Sequence, residues 1–241
     1  MKSKKQTVIE LDHVYKIYTL HHEKPTFVEN VVKLGRKEQF TALEDINLRI
    51  YKGEKVGIIG SNGSGKTTLL KIIVGITRQN SGTVKIKGRI VSLIDVEAGF
   101  HPDLTGEENI FLNGLIIGMN KQEIRNKFEQ IVKFADIGKF IDASLYSYSE
   151  GMKLRLGFAV AVHAEPDILI LDEGISAGDK DFQKKSSKKI EEFFKKGKTI
   201  LIVSHWLEYL EKNCDRIIWI GNGKIISEGN KEVLESYIKG K

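Results

Sequence analysis

The sequence predicts an α/β protein, a core of strands and helices interrupted by a helical block. Three observations predict it. The strand-like run "GEKVGIIG" ends in a glycine-rich loop, "GSNGSGKT" (Gly60 to Thr67), that opens into a helical pattern. A second apolar run, "DILILD", reads as a strand buried on both faces. Between about Thr105 and His163 the apolar spacing turns mostly helical, as in "KQEIRNKFEQIVKFADI".

The elements follow in order. "TVIELD" (7–12), "LEDINLRI" and "GEKVGIIG" read as strands. Between the first two, residues 20–40 are polar but carry Phe27, Val28, Val31, Val32 and Leu34 at helix-like spacing, which predicts an amphipathic helix. "GKTTLLKIIVGI" reads as a helix and "GTVKIKGRIVSLI" as a pair of strands. Past the helical block come "DILILD", a helix, "KTILIVSH", a short helix, "DRIIWIG", "GKIISEG" and a closing helix. This alternation around an insertion is the pattern of an α/β core with a helical subdomain.

Composition narrows the class. A chain of 241 residues can hold one large α/β unit or two small ones. The lone Cys214 excludes an internal disulfide framework and fits a reducing compartment. The start "MKSKKQTVIELD" lacks the apolar stretch of a leader. No run approaches the ~18 apolar residues of a membrane span, so the chain is not expected to cross a bilayer by itself. The net charge of +6 suits nucleic acid or an anionic membrane face, but the lysines are spread through "KSKK", "KKSSKK" and "FFKKGK" and read as solvated faces.

The chemistry begins in the glycine-rich loop. Gly60, Gly65, Lys66 and Thr67 complete G-x-x-x-x-G-K-[ST] between a strand and a helix. Such a loop, here Gly60, Ser61, Asn62, Gly63, Ser64 and Gly65 and on into Lys66, Thr67 and Thr68, turns backbone N–H groups toward phosphate oxygens at a helix N-terminus. Lys66 can reach the β- and γ-phosphates, and the Thr67 hydroxyl can ligate Mg²⁺. A second metal-side carboxylate is required at a neighbouring strand end, and Asp172 supplies it. Glu173, one residue on, can orient the attacking water or accept its proton. His205, at the end of "ILIVSH", can hydrogen-bond a γ-phosphate oxygen.

These residues, in this order, resemble the ABC-type ATPases. "YSEGMKLRLG" (148–157) resembles that family's signature, Leu-Ser-Gly-Gly-Gln, with Ser149 and Gly151 kept and Tyr148, Glu150 and Met152 departing. "SAGD" (Ser176 to Asp179) resembles its D-loop. The resemblance implies a P-loop NTPase fold of the ABC ATPase type: a mixed-sheet core, an antiparallel β subdomain and an inserted helical subdomain at about 105–163, all in one nucleotide-binding domain over 1–241. It implies ATP and Mg²⁺ as cofactors and an ATP-sandwich homodimer, in which Ser149 and Gly151 bind, in trans, the nucleotide on the P-loop of a second copy. Tyr18 stands where the family places a stacking aromatic for adenine, with Tyr15 the near alternative.

Where the family carries a glutamine, "LIDVEAGFHPDLTGEEN" (93–109) has none, and Glu97 or a neighbour takes the place. That departure, with the long segment before Ala42, resembles the ATPase subunits of polysaccharide exporters, teichoic-acid exporters first and O-antigen and capsule exporters next. The resemblance implies a peripheral subunit on the cytoplasmic face of the membrane, hydrolysing ATP for separate permease subunits that move a lipid-linked polysaccharide. Nucleic acid is not an expected partner: the long coiled-coil insertion of a DNA-repair relative and the paired cassettes of a translation relative are both missing from the sequence.

Overall fold

The computed structural model describes residues 5–20, 38–94, 96–172 and 179–240, with Leu20 and Asp172 described by their backbone alone. The predicted helix at 20–40, with Phe27, Val28, Val31, Val32 and Leu34, falls almost wholly outside these residues. So do Asp95, Glu173 and Ser176 to Gly178.

Nine strands and seven α-helices run in this order among the described residues: β1 Thr7–Leu20, β2 Glu38–Tyr51, β3 Lys55–Ile59, α1 Lys66–Val74, β4 Ser81–Ile86, β5 Ile90–Ser92, α2 Gly106–Ile116, α3 Lys121–Ala135, α4 Glu150–His163, β6 Ile168–Asp172, α5 Lys180–Lys195, β7 Thr199–Val203, α6 Leu207–Asn213, β8 Arg216–Gly221, β9 Lys224–Gly229 and α7 Lys231–Lys239. Two short 3₁₀ turns, Gly138–Asp142 and Leu145–Ser147, join α3 to α4. Two sheets result. One is antiparallel, ordered β2-β1-β4; the other is mixed, ordered β5-β6-β7-β3-β8-β9, with β9 alone antiparallel to its neighbour. The strands expected in "GTVKIKGRIVSLI" both exist but do not pair with each other. β4 joins β1 and β5 joins β6, so the chain changes sheets at Lys87 and Gly88.

The period-2 alternation of side chains explains how the mixed sheet holds two cores. Ile58, Ile168, Ile170, Leu201, Val203 and Ile218 face α1 and the antiparallel sheet. Their neighbours Ile59, Leu169, Leu171, Ile200, Ile202 and Ile217 join the other core, with the helical block and residues of α5, α6 and α7. The helical block is held by local chemistry as well: Thr105 with Glu108, and Asn120 with Glu123, form reciprocal capping boxes at the heads of α2 and α3. With β3, β6 and β7 parallel, their C-terminal ends share one edge of the sheet, and the loops that leave that edge carry the site.

Candidate functional site

The glycine-rich loop joins β3 to α1. Gly60 is closely hemmed: a Cβ built there would lie 2.2 Å from the Ile220 carbonyl oxygen and 2.6 Å from Ser64 Oγ. Gly65, the N-cap of α1, has φ 106°, and a Cβ on it would meet the Ala42 carbonyl oxygen at 2.7 Å. Both positions demand glycine for backbone reasons. Inside the loop the Lys66 ammonium is buried and donates to the carbonyls of Gly60 and Ser61, each at 2.8 Å. The Ser64 hydroxyl is buried with no hydrogen-bond partner among the described residues. An orphaned hydroxyl, a buried ammonium and the head of a helix with no side-chain cap are what a phosphate group would satisfy. Thr67, on the first turn of α1, is exposed.

Register brings the second strand end to the loop. Asp172 of β6 pairs with Val203 of β7, and Val203 pairs with Ile58 of β3. At about 4.8 Å per strand, the Asp172 backbone lies about 10 Å from that of Ile58, just before the loop. His205 follows β7 on the same edge and is exposed, with Ser204 buried beside it. Thr67 and Asp172, the metal ligands expected from the sequence, are therefore brought to one edge, whereas Glu173 lies outside the described residues. Tyr18 pairs with Phe40 of β2, two residues from the Ala42 that abuts Gly65, so the far end of β1 reaches toward the loop. The Lys16 ammonium stands 4.7 Å from the Tyr18 ring centroid. Tyr15 lies nearer the middle of β1, paired with Ser81 of β4.

Ser149 is built quite differently. It is the N-cap of α4, and its Oγ accepts from the Met152 N–H at 3.2 Å. Ser149, Glu150 and Gly151 are all exposed, and among the described residues a Cβ on Gly151 would meet only Ser149 Oγ, at 3.9 Å. Tyr148 is the anchor behind them. Its ring is buried, its hydroxyl donates to the Phe140 carbonyl at 2.5 Å, and burial pushes its pKa up to about 12. Arg155, two turns along α4, pairs with Asp179 at 3.2 Å, the residue that caps α5. Backbone N–H groups of Asp181 and Phe182 hold the Asp179 carboxylate below its usual range.

Residues that the sequence did not single out hold the connecting segment. The buried amide of Asn109 donates to the carbonyls of His101, Leu104 and Thr105 and accepts from the His101 N–H. Asn113 donates to the Ala98 carbonyl. Their presence on a mostly apolar helix face was the available signal. Beside this segment lies a cleft of about 1210 Å³, running from Thr67 and Leu70 past Ile90 and Ile94 to Ile116 and Ile117.

The ABC transporter family model matches residues 43–176, from β2 through the glycine-rich loop, Ser149 and Asp172. The chain belongs to the ABC transporter family. This ABC ATPase is 46% identical over 227 residues to an O-antigen export system ATP-binding protein of Myxococcus xanthus, covering 91% of the chain and 52% of that protein. It is 40% identical over 238 residues to the protein of that description in Klebsiella pneumoniae, covering 95% and 97%. A teichoic acids export ATP-binding protein of Lactiplantibacillus plantarum is 44% identical over 237 residues, covering 97% of the chain and 65% of that protein. The chain thus spans about half of the Myxococcus relative and nearly all of the Klebsiella one. Among solved structures, a dimeric ATP-binding cassette in a post-hydrolysis state with ADP and Pi matches with TM-score 0.68 at 25% identity, covering 92% of the chain and 98% of that one. An ATP-binding subunit of an ABC transporter matches with TM-score 0.71 at 21% identity, covering 96% and 93%. The mixed sheet, antiparallel sheet and helical insertion are those the sequence resemblance implies.

Proposed function

We propose that this ABC ATPase hydrolyses ATP as a homodimer to drive a lipid-linked cell-envelope polysaccharide across the cytoplasmic membrane through separate permease subunits. The observation that supports the reading is the coexistence of two unlike helix heads in one chain, one behind Lys66 and one behind Ser149. Lys66 and Ser64 are buried within their loop, whereas Ser149 heads a helix whose first residues, Glu150 and Gly151, are exposed. A hydroxyl has one donor and two acceptor positions, and with Met152 N–H bonded to it the Ser149 proton remains available for an anion. A second copy supplies that anion as its bound γ-phosphate.

In this reading residues 1–241 form one nucleotide-binding domain, and Lys66 exchanges the Gly60 and Ser61 carbonyls for phosphate oxygens. Ser64 and the N–H groups of Gly60 to Thr68 complete the cradle. Tyr18 stacks on adenine, Glu173 orients the water, and His205 holds the γ-phosphate. Thr67 and Asp172 would hold Mg²⁺, which when bound neutralises phosphate charge. The cleft from Leu70 to Ile117 seats a cytoplasmic segment of the permease; its apolar walls and the 59% exposure of Ile76 and Ile116 at its rim support that use. Among described residues no helix is long and apolar enough to cross a membrane, which suits a peripheral subunit. For the polymer we propose teichoic acid; O-antigen is the alternative, which the Myxococcus and Klebsiella relatives favour.

The test mixes a Lys66→Ala chain with a Ser149→Arg chain. In the mixed dimer one site collects both lesions and the other is intact, so ATPase activity should partly return when neither parent has any. Mixed dimers that form but never exceed their parents would sink the reading.

A further inference from the structure

Arg89, one residue ahead of β5, is held at the sheet edge by its backbone. Its N–H donates to Asp167 Oδ2 at 2.9 Å, and its carbonyl accepts from the N–H groups of Asp167 and Ile168 at 2.9 and 3.0 Å. The side chain reaches away from the sheet. One guanidinium nitrogen donates to Glu123 Oε1 at 2.6 Å and to the Ala164 carbonyl at 2.5 Å. The other donates to Glu123 Oε2 at 3.0 Å and to the Gly118 carbonyl at 2.9 Å. Glu123 is the capping-box acid of α3, Gly118 lies in the turn between α2 and α3, and Ala164 is the C-cap of α4. One side chain therefore ties three segments of the helical block to the core sheet, while also lining the cleft.

The end of α4 receives a second cation. Lys127 donates to the His163 carbonyl at 2.9 Å and stands 3.6 Å from Glu123 and 3.3 Å from Glu165. Two cations on the last carbonyls suit the negative end of a helix dipole. At about 1.5 Å per residue, the 14 residues of α4 span about 21 Å from this clamp to Ser149. Leu156 to Val162 are buried between the two, so the helix is packed along its second half.

We propose that Arg89 is a positioning residue for ATP hydrolysis: its fork sets the C-terminal end of α4 against the sheet, and α4 carries that setting to Ser149, so the half-site offered to a second copy is aligned from the cleft. The proposal rests on the reading that Ser149 serves the other copy's nucleotide. It explains why a guanidinium is used, since four acceptors on three segments need a fork and a lysine offers only a point charge.

The experiment uses the full chain with Arg89→Gln and Arg89→Lys. ATP affinity and KM for ATP should stay near those of the parent, because the Lys66 loop is untouched. Turnover should fall by about tenfold to a hundredfold, the scale of a misplacement near 1 Å, and lysine should not restore it. Mixed with Lys66→Ala, the Arg89→Gln chain should regain activity as Ser149→Arg does, because its own nucleotide loop remains sound. If the Ser149→Arg mixture recovers activity and the Arg89→Gln mixture does not, Arg89 acts on folding or on its own chain's site and the proposal is overturned. Failure of both mixtures overturns the half-site reading and this proposal with it. Should Arg89→Gln not fold, Glu123→Gln breaks the fork from the other side and must show the same split between KM and turnover.

Discussion

Two glycines on α4 should respond to alanine with opposite signs. Replacing a helical glycine by alanine ordinarily stabilises by about 0.5–1 kcal/mol. At Gly157 the new Cβ would lie 2.2 Å from the Val96 carbonyl oxygen, 2.8 Å from its carbon and 3.1 Å from Val96 Cβ. Two of those atoms are backbone, so no rotamer change relieves the contact, and the overpacking cost belongs near the upper end of about 1–3 kcal/mol. Gly157→Ala should therefore lose roughly 1–2 kcal/mol net, a fall in Tm of roughly 2–8 °C for a chain of this size. At Gly151 the Cβ has open space, and alanine there should be neutral or add up to about 1 kcal/mol. Urea unfolding of both variants, followed by far-ultraviolet circular dichroism, gives the two signs. ATPase assays add a second contrast, because Gly151→Ala puts a methyl group on the proposed half-site and should be stable yet impaired. A Gly157→Ala chain at least as stable as its parent would refute the packing argument.

Glu173→Gln should keep ATP binding but slow hydrolysis by at least about a hundredfold, the usual worth of one positioned base, and should accumulate as an ATP-bound dimer on size exclusion. Near-normal turnover would move the role to Asp95 or Glu97. Burial holds the His163 imidazole below its ordinary pKa of 6.5. Stability should be full above that value and decline as pH falls below it, where the unfolded chain takes up a proton that the folded chain resists. Urea midpoints at about pH 7.5 and about pH 5.5 should separate in the parent and draw together in His163→Phe. Changing both Phe27 and Val31 to Ser should spare the ATPase activity of the isolated subunit and weaken polymer export in cells; unaltered export at normal protein levels would remove that segment from coupling to the permease or the membrane.

The nucleotide loop and the strand before Asp172 were legible because their chemistry is local: spacing alone sets Gly60, Gly65, Lys66 and Thr67 between a strand and a helix. The switch of sheets between β4 and β5 was not, since the two strands adjoin in sequence and only their distant partners, β1 and β6, decide where each belongs. The Arg89 fork was invisible for the same reason. Its four acceptors come from positions 118, 123 and 164, and no periodicity relates them. Tyr148 could be read as a departure from a signature, but its bond to Phe140 depends on the 3₁₀ turn that brings that carbonyl back. The helix expected at residues 20–40 rested on apolar spacing alone, and of that span only Leu20, the end of β1, and Glu38 to Phe40, the start of β2, are described.

Lys66, by bonding to Gly60 and Ser61, keeps a positive charge solvated by its own loop. In the proposed function an arriving phosphate displaces those carbonyls, so the affinity it would gain is the difference between two sets of charge-assisted bonds rather than the strength of the new set alone. The same exchange works in reverse after cleavage. As product leaves, the ammonium has acceptors 2.8 Å away ready to take it back, and the charge need not pass through an unsolvated state. On that proposal, a loop arranged in this way would trade tightness of hold for ease of turnover, as suits an ATPase that must release its product in every cycle.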